Sequence, residues 1–214
     1  MFSPAFWLGV VVVIVVLRWM PRTLTALVHG RRIGQIAVQR QPDSIRLLAA
    51  PDDVWRDRSA VDALADGFRG VGFTDAGCFV VHGLQGVALA ILVHEQESMT
   101  AAVYDHPKAG IWCEVNSAYQ DGARASYTNR PASGLDTRPG NIHQHLPGLG
   151  VADLFARALK ERPRKPLCPV SIADAPRAFE RAYAEGIAWR KRHGISTREV
   201  VKIATRAPTA AQTR

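Results

Sequence analysis

The chain opens with an apolar run, and charged residues enter the pattern only after it. Residues 1–17 carry no charged side chain, and as an α-helix they would span roughly 26 Å of a hydrocarbon core that is roughly 30 Å thick. Arg18 and Trp19 extend the run, because arginine can reach the interface from within the bilayer and tryptophan favours it. The polar stripe of a soluble helix is missing. The pattern predicts one transmembrane helix over residues 1–20.

Basic residues lie on one side only of this predicted helix. None precedes it, whereas Arg18, Arg22, Arg31 and Arg32 follow it. A cleaved signal peptide would carry positive charge before the apolar run, so an uncleaved anchor is the better interpretation. Positive charge is retained on the cytoplasmic side, which predicts a single-pass inner-membrane protein with its N-terminus outside and its C-terminal domain in the cytoplasm. The same four arginines would contact anionic lipid headgroups.

From residue 73 onward, apolar and polar positions alternate with the period of a β-strand. The alternation predicts five strands with short polar breaks between them, over residues 75–82, 86–94, 99–105, 110–119 and 123–130. Short connections join antiparallel neighbours, so the expected topology is a meander. Residues 142–146 read as a sixth short strand, and residues 44–50 as a further short strand.

The last predicted hairpin has a register that its apolar pattern decides. A three-residue loop over 120–122 pairs Val115 with Tyr127 and keeps the apolar side chains of both strands on one face. Gly122 then takes the left-handed conformation of the bulge. The opposite face is the predicted ligand-binding surface, and its residues are Trp112, Glu114, Asn116, Ser126, Thr128, Asn129 and Arg130.

Helical periodicity flanks the predicted sheet on both sides. Helices over 59–69 and 151–161 are expected to cover its apolar face. A long helix from Asp174 to His193 follows, and then a short helix that begins with a capping box of Ser196 and Glu199. The pattern predicts an α+β protein in which one N-terminal transmembrane helix precedes an antiparallel five- to six-stranded meander sheet packed against helices, with a helical C-terminus. The predicted segments are a transmembrane anchor (1–20), a basic juxtamembrane connector (21–50), an α+β domain (51–162), a basic helical C-terminal extension (163–205) and a disordered tail (206–214).

The net charge of +8 over 214 residues is unevenly distributed. Residues 1–46 and 157–214 carry +5 and +9, whereas residues 47–156 carry −6. Basic arms close to a bilayer favour contact with anionic lipid. Nucleic acid is a disfavoured partner, because no helix-turn-helix, zinc spacing or aromatic-rich basic strand accompanies the charge. The three cysteines are widely spaced without a CxxC pair, which is typical of reduced thiols.

Two histidines form the strongest candidate for catalysis. His143 and His145 alternate around Gln144, so both would face the same way from a strand. With the carboxylate of Glu114 they would supply an acid and a base, or metal ligands. Histidines on a half-exposed strand are the simpler interpretation, because the sequence places no third ligand. The sequence therefore predicts neither a metal nor a cofactor.

The leading functional prediction is a membrane-anchored cytoplasmic module for binding, sensing or assembly, without catalytic activity. It rests on the anchor, the charge distribution and the lack of a catalytic motif in the sequence. One alternative is a membrane-tethered hydrolase or transferase that uses His143 and His145. Another is an accessory structural subunit whose predicted helix packs against a membrane-protein partner through the small pair Ala5 and Gly9.

Overall fold

The computed structural model describes residues 30–205. The predicted transmembrane helix over 1–20 and the predicted disordered tail over 206–214 lie outside the described residues. Between residues 30 and 205, no helix combines the length and the apolar character needed to cross a membrane.

The described part of the chain contains five α-helices, seven β-strands and a short 3-10 helix (Asp52–Val54). The helices are α1 (Arg31–Gln39), α2 (Arg58–Gly70), α3 (Val151–Glu161), α4 (Ala175–His193) and α5 (Thr197–Ala204). The strands are β1 (Arg46–Ala49), β2 (Thr74–His82), β3 (Ala88–His94), β4 (Met99–His106), β5 (Gly110–Ala118), β6 (Arg124–Thr128) and β7 (Ile142–His145). The five strands of the alternating region begin and end within two residues of their predicted bounds.

All seven strands join one sheet in chain order, β1 to β7, and the fold is mixed α+β. The prediction of five or six strands in a meander needs two corrections. The short strand predicted near residues 44–50 is β1. It pairs with β2 in the same sheet, which brings the count to seven. The last strand, β7, runs parallel to β6, because the long connection over residues 129–141 carries the chain back before it pairs.

The register predicted for the hairpin of β5 and β6 is confirmed. Val115 pairs with Tyr127, and the backbone N–H of Tyr119 donates to the carbonyl of Ala123 at 3.0 Å. Gly122 has a φ of +80°, the left-handed conformation that the three-residue loop requires. We call the side of the sheet that carries Val115 and Tyr127 the first face, and the opposite side the second face.

The first face is covered by α2 and α3, as the sequence predicts. Phe68 of α2 and Leu154 of α3 are completely buried against strand residues such as Val103 and Val115. Both helices show apolar residues at helical spacing, so each turns one stripe toward the sheet. This layer forms the larger of the apolar cores.

A second apolar core lies on the second face, over the half of the sheet that begins at β1. Leu89 and Ile91 of β3 are buried there together with Ala175, the first residue of α4. Phe179 and Tyr183, further along α4, pack against this cluster. The strand β3 is therefore buried on both of its faces, which explains its unbroken apolar sequence.

One backbone group on the outer edge of β1 is paired with a side chain from α4. The backbone N–H of Leu47 donates to the Glu180 carboxylate at 2.7 Å. Unpaired edge groups of a sheet invite pairing with another chain, and such a contact removes one of them. It also fixes the first half of α4 over the sheet.

The contacts divide the chain into two compact units. The sheet unit comprises Pro42–Ala132 and Thr137–Trp189, and the terminal unit comprises residues 30–41, Ser133–Asp136 and 190–205 among those described. The terminal unit has a small core of Val38, Ile195 and Val200. Helix α1 lies close to the side chain of Ile195 at Gly34, where an added β-carbon would be only 2.8 Å from that side chain.

One buried tyrosine offers a test of the first face. Tyr127 is completely buried, and its hydroxyl has no hydrogen-bond partner within residues 30–205. We expect Tyr127→Phe to leave the free energy of unfolding unchanged or to raise it by up to about 1 kcal/mol, because it removes an unsatisfied polar group and keeps the ring. The matched variant Tyr104→Phe removes a hydroxyl that donates to Glu114 at 2.7 Å, and should lower that free energy by about 1–2 kcal/mol. Urea unfolding measures both, and a greater loss for Tyr127→Phe than for Tyr104→Phe would contradict the assignment.

Candidate functional site

The sheet unit contains a cleft of about 690 Å³ between its second face and α4. Small side chains on both walls keep it open. Ala102 and Ala118 line it from the strands, and Ala178 and Ala182 line it from the helix. Because the two alanines of α4 are four residues apart, they lie on the same side of the helix. The cleft is within the size range of small-molecule sites in proteins.

A chain of hydrogen bonds crosses the floor of the cleft. The Tyr104 hydroxyl donates to Oε1 of Glu114 at 2.7 Å, and the Asn116 amide donates to the same oxygen at 3.2 Å. The Ser126 hydroxyl donates in turn to the carbonyl oxygen of the Asn116 side chain. These groups hold one another in fixed directions, so the floor presents a preorganised polar surface.

The roof of the cleft is the apolar side of α4. Phe179 and Tyr183 line it beside the two alanines, and Glu185 lies at its rim. A guanidinium N–H of Arg124 on β6 donates to the Glu185 carboxylate at 3.1 Å, which links the helix to the strand. The hydroxyl of Tyr183 is buried without a hydrogen-bond partner in residues 30–205, and burial, with Asp43 adding to it, raises the pKa of this tyrosine.

Trp112 and Arg130 form a stack behind the cleft rather than part of its lining. The Trp112 ring is stacked on Tyr104 with centroids 4.6 Å apart, and the Arg130 guanidinium lies 4.3 Å from the centre of the tryptophan ring. Trp112 is only 8% exposed. The stack therefore supports Tyr104 from behind, and a cation over the tryptophan face is favourable.

Thr128 and Asn129 serve the end of the sheet. The Thr128 hydroxyl donates to the Cys113 carbonyl at 2.8 Å and accepts from the backbone N–H of Arg130 at 3.1 Å. The Asn129 side chain accepts from the backbone N–H of Cys113 at 2.9 Å. Of the candidates that the sequence indicates for ligand binding, Glu114, Asn116 and Ser126 line the cleft, whereas Trp112, Thr128 and Arg130 do not.

The two candidate catalytic histidines are stacked on β7, with ring centroids 4.4 Å apart. Nδ1 of His145 lies 3.1 Å from the carbonyl oxygen of Arg130. Partial desolvation lowers the pKa of His143. The charge of Glu114 raises this pKa, whereas His145 and the charge of Arg130 lower it further. His143 pairs with Ser126 in the ladder, yet the serine hydroxyl donates to Asn116. The Ser126 hydroxyl is therefore directed at Asn116 and not at His143.

Neither a thiol nucleophile at Cys113 nor a metal centre is supported by the geometry of the described residues. Burial raises the pKa of Cys113 to about 12, with a further contribution from Glu114, so this thiol stays protonated at neutral pH. Across residues 30–205, no three His, Cys, Asp or Glu side chains approach closely enough to hold a metal ion. None of the described groups therefore forms a metal centre around the histidine pair.

Sequence reasoning did not identify the roof of the cleft or Tyr104. Two signals for them are present in the sequence. In β4, Tyr104 directly follows the first-face residue Val103, so its side chain lies on the second face. In α4, Phe179 and Tyr183 are four residues apart and therefore lie on one side of the helix.

The fold and the site together define a mixed α+β protein with a seven-stranded sheet and a polar-floored cleft. Comparison with protein-family models, with curated proteins and with solved structures found no match.

Proposed function

We propose that this protein is a small-molecule binding module that a membrane anchor at its N-terminus holds at the cytoplasmic surface. The ligand occupies the cleft under α4 and has an apolar body with one cationic amine. The observation that carries this proposal is the Glu114 carboxylate on the floor of the cleft. The anchor part rests on the uncharged run of residues 1–17 and on the arginines that follow it.

The surroundings of Glu114 favour a positively charged ligand group. Among residues 30–205, two hydrogen bonds reach this carboxylate; they come from the neutral side chains of Tyr104 and Asn116, and both reach Oε1. Oε2 is then the oxygen that a ligand would meet. A carboxylate in a partly apolar cleft is stabilised by an opposite charge nearby, and an ammonium group supplies one. The aromatic rings of Phe179 and Tyr183 in the roof suit an apolar body beside that charge.

The hydrolase or transferase alternative has one supporting observation, the lowered pKa of His143 beside Glu114. A neutral imidazole at pH 7 is a competent base. Binding is nevertheless the better supported function, because the Ser126 hydroxyl donates to Asn116 and the Cys113 thiol is buried. The cleft thus offers recognition groups without an activated nucleophile.

The test compares two ligands of nearly equal shape on the full chain in detergent micelles, with empty micelles as the blank. Phenethylamine carries the cation, and 2-phenylethanol is its neutral counterpart. By calorimetry we expect the amine to bind at least about tenfold more tightly than the alcohol, because a charged hydrogen bond contributes roughly 1.5–3 kcal/mol. The Glu114→Gln variant should remove this preference and leave the affinity for the alcohol unchanged.

The matched control is Asp153→Asn on α3, which makes the same charge change outside the cleft lining. This variant should bind both ligands as the wild type does. Equal affinities of the wild type for amine and alcohol, or an unchanged preference in Glu114→Gln, would contradict the proposed ligand class.

A further inference from the structure

Exposed aliphatic side chains are concentrated in the terminal unit. Five large apolar residues between positions 30 and 205 are exposed, namely Ile33 (62%), Ile36 (45%), Leu48 (50%), Leu135 (41%) and Ile203 (44%). All except Leu48 belong to the terminal unit. The terminal unit is much the smaller of the two, so this concentration marks it as a surface for an apolar partner.

The geometry of α1 explains how its isoleucines come to be exposed. Gly30 and Gly34 face the side chains of Val200 and Ile195, which fixes the inner side of the helix. Since each residue turns the helix by about 100°, Ile33 and Ile36 fall together on an outer side, three residues apart. This helix therefore packs inward through Gly30, Gly34 and the buried Val38, and presents isoleucines outward.

The same unit carries a strong positive charge. Its exposed arginines are Arg31, Arg32, Arg40, Arg192 and Arg198. Its two carboxylates are already engaged, since Glu199 pairs with Arg190 at 2.6 Å and Asp136 pairs with Lys202 at 2.7 Å. Isoleucines beside exposed arginines are the pattern of a helix that lies in the headgroup region of an anionic bilayer.

The position of α1 in the chain selects a membrane as the partner. Only residues 21–30 separate the predicted end of the apolar segment at Met20 from the first residue of α1. Ten extended residues reach at most about 35 Å, so an inserted segment would keep α1 within that distance of the bilayer.

We propose that the terminal unit docks on the surface of an anionic membrane. Ile33 and Ile36 of α1 enter the boundary between headgroups and acyl chains. Arg32 and Arg40, which flank the isoleucines on the same side of the helix, contact the lipid phosphates. This inference shares with the proposed function only the membrane anchor, and it is independent of the cleft and its ligand.

Hydrogen exchange of the full chain in lipid nanodiscs tests the docking. One preparation contains phosphatidylcholine alone, and the other an equal mixture of phosphatidylcholine and phosphatidylglycerol. We expect amides of α1 to exchange at least about fivefold more slowly in the anionic nanodiscs, since one basic residue near such a surface contributes roughly 1 kcal/mol. Amides of β3, which is buried on both faces, should exchange equally in both lipids.

Two double variants separate the contributions of the isoleucines and the arginines. Ile33→Ser with Ile36→Ser, and Arg32→Gln with Arg40→Gln, should each abolish the lipid-dependent slowing in α1. The matched control Arg164→Gln with Arg177→Gln removes two exposed arginines from the sheet unit, and should retain the slowing.

Three results would overturn the inference. The first is equal exchange of α1 in both lipids. The second is slowing that depends on protein concentration and not on lipid, which would identify a second copy of the chain as the partner. The third is failure of the chain to incorporate into either nanodisc, which would contradict the predicted membrane anchor. Ligand binding in the cleft would still be tested separately by calorimetry.

Discussion

Replacement of Glu199 by glutamine is expected to lower the free energy of unfolding of the terminal unit by about 3 kcal/mol at neutral pH. Glu199 is 3% exposed, although it is charged. Its carboxylate accepts hydrogen bonds from the backbone N–H of Ser196 and the backbone N–H of Asp136, each at 2.7 Å. It also pairs with the Arg190 guanidinium at 2.6 Å. Removal of one partner from such a buried pair leaves the other charge uncompensated, which costs about 3–5 kcal/mol.

The pH dependence of this effect follows from the pKa of Glu199. Burial alone would raise this pKa, but the hydrogen bonds from Ser196, Asp136 and Arg190 outweigh it and hold the value at about 2, against 4.5 for an unperturbed glutamate. A lowered pKa means that the carboxylate contributes stability above pH 4.5 and loses that contribution as the pH falls toward 2. The difference between wild type and Glu199→Gln should therefore be full at pH 6 and small at pH 2.

Hydrogen exchange of the α5 amides measures this difference directly. A loss of about 3 kcal/mol corresponds to exchange roughly 100-fold faster when local opening precedes exchange. The matched control is Asp136→Asn, whose side chain is 47% exposed in its pair with Lys202, and it should cost less than about 1 kcal/mol. Equal effects of the two variants, or a difference that persists at pH 2, would contradict the role of Glu199.

The sequence is most informative where local pattern and long-range pairing depend on the same residues. In the hairpin of β5 and β6, the alternation of Val115 and Tyr127 with polar neighbours determines both the strands and their register. The sequence also predicts the capping box of Ser196 and Glu199, and both of its hydrogen bonds are present. The buried ion pair of Glu199 with Arg190 was not readable, because it joins two helices whose packing no local pattern fixes.

The direction of β7 illustrates what a local pattern leaves open. Alternation predicts that residues 142–146 form a strand, but it is silent on whether the strand runs parallel or antiparallel to its neighbour. The path of the preceding connection decides the direction of β7. The glycines and prolines in that connection predict turns, but they do not determine where the chain leads. His143 and His145 were therefore predictable as residues on one face, and their pairing with Ser126 and Thr128 was not.

The sequence of β3 indicates that the second face is also covered, although it departs from the alternating pattern of the other strands. Residues 88–93 of β3 are all apolar and all buried, with Leu92 in the core of the first face and Leu89 in that of the second. A strand that is apolar on both sides requires cover on both sides. The apolar sequence of β3 therefore predicts a layer over the second face, and the stripe of Phe179 and Tyr183 indicates that α4 forms it. The cleft itself depends on which alanines of α4 meet which alanines of the sheet, and that requires the structure.

Those alanines lead to the prediction with the largest expected effect on binding. Ala182→Leu should weaken the binding of phenethylamine by at least about 30-fold, because a leucine at this position occupies space that the ligand body needs. The added carbons enter an open cleft and not a packed core, so the free energy of unfolding should change by less than about 1 kcal/mol. Calorimetry gives the affinity, and urea unfolding gives the stability.

The matched control makes the same substitution on the same helix. Ala188 of α4 is exposed and is not part of the cleft lining, so Ala188→Leu should bind phenethylamine as the wild type does. Both changes replace alanine by a residue with almost the same helix propensity, and any difference between them therefore reports on position. If a stable Ala182→Leu variant binds as tightly as Ala188→Leu, the ligand does not lie under α4. A concurrent loss of binding in Glu114→Gln would then move the site toward His143, on the part of the second face that the cleft does not include.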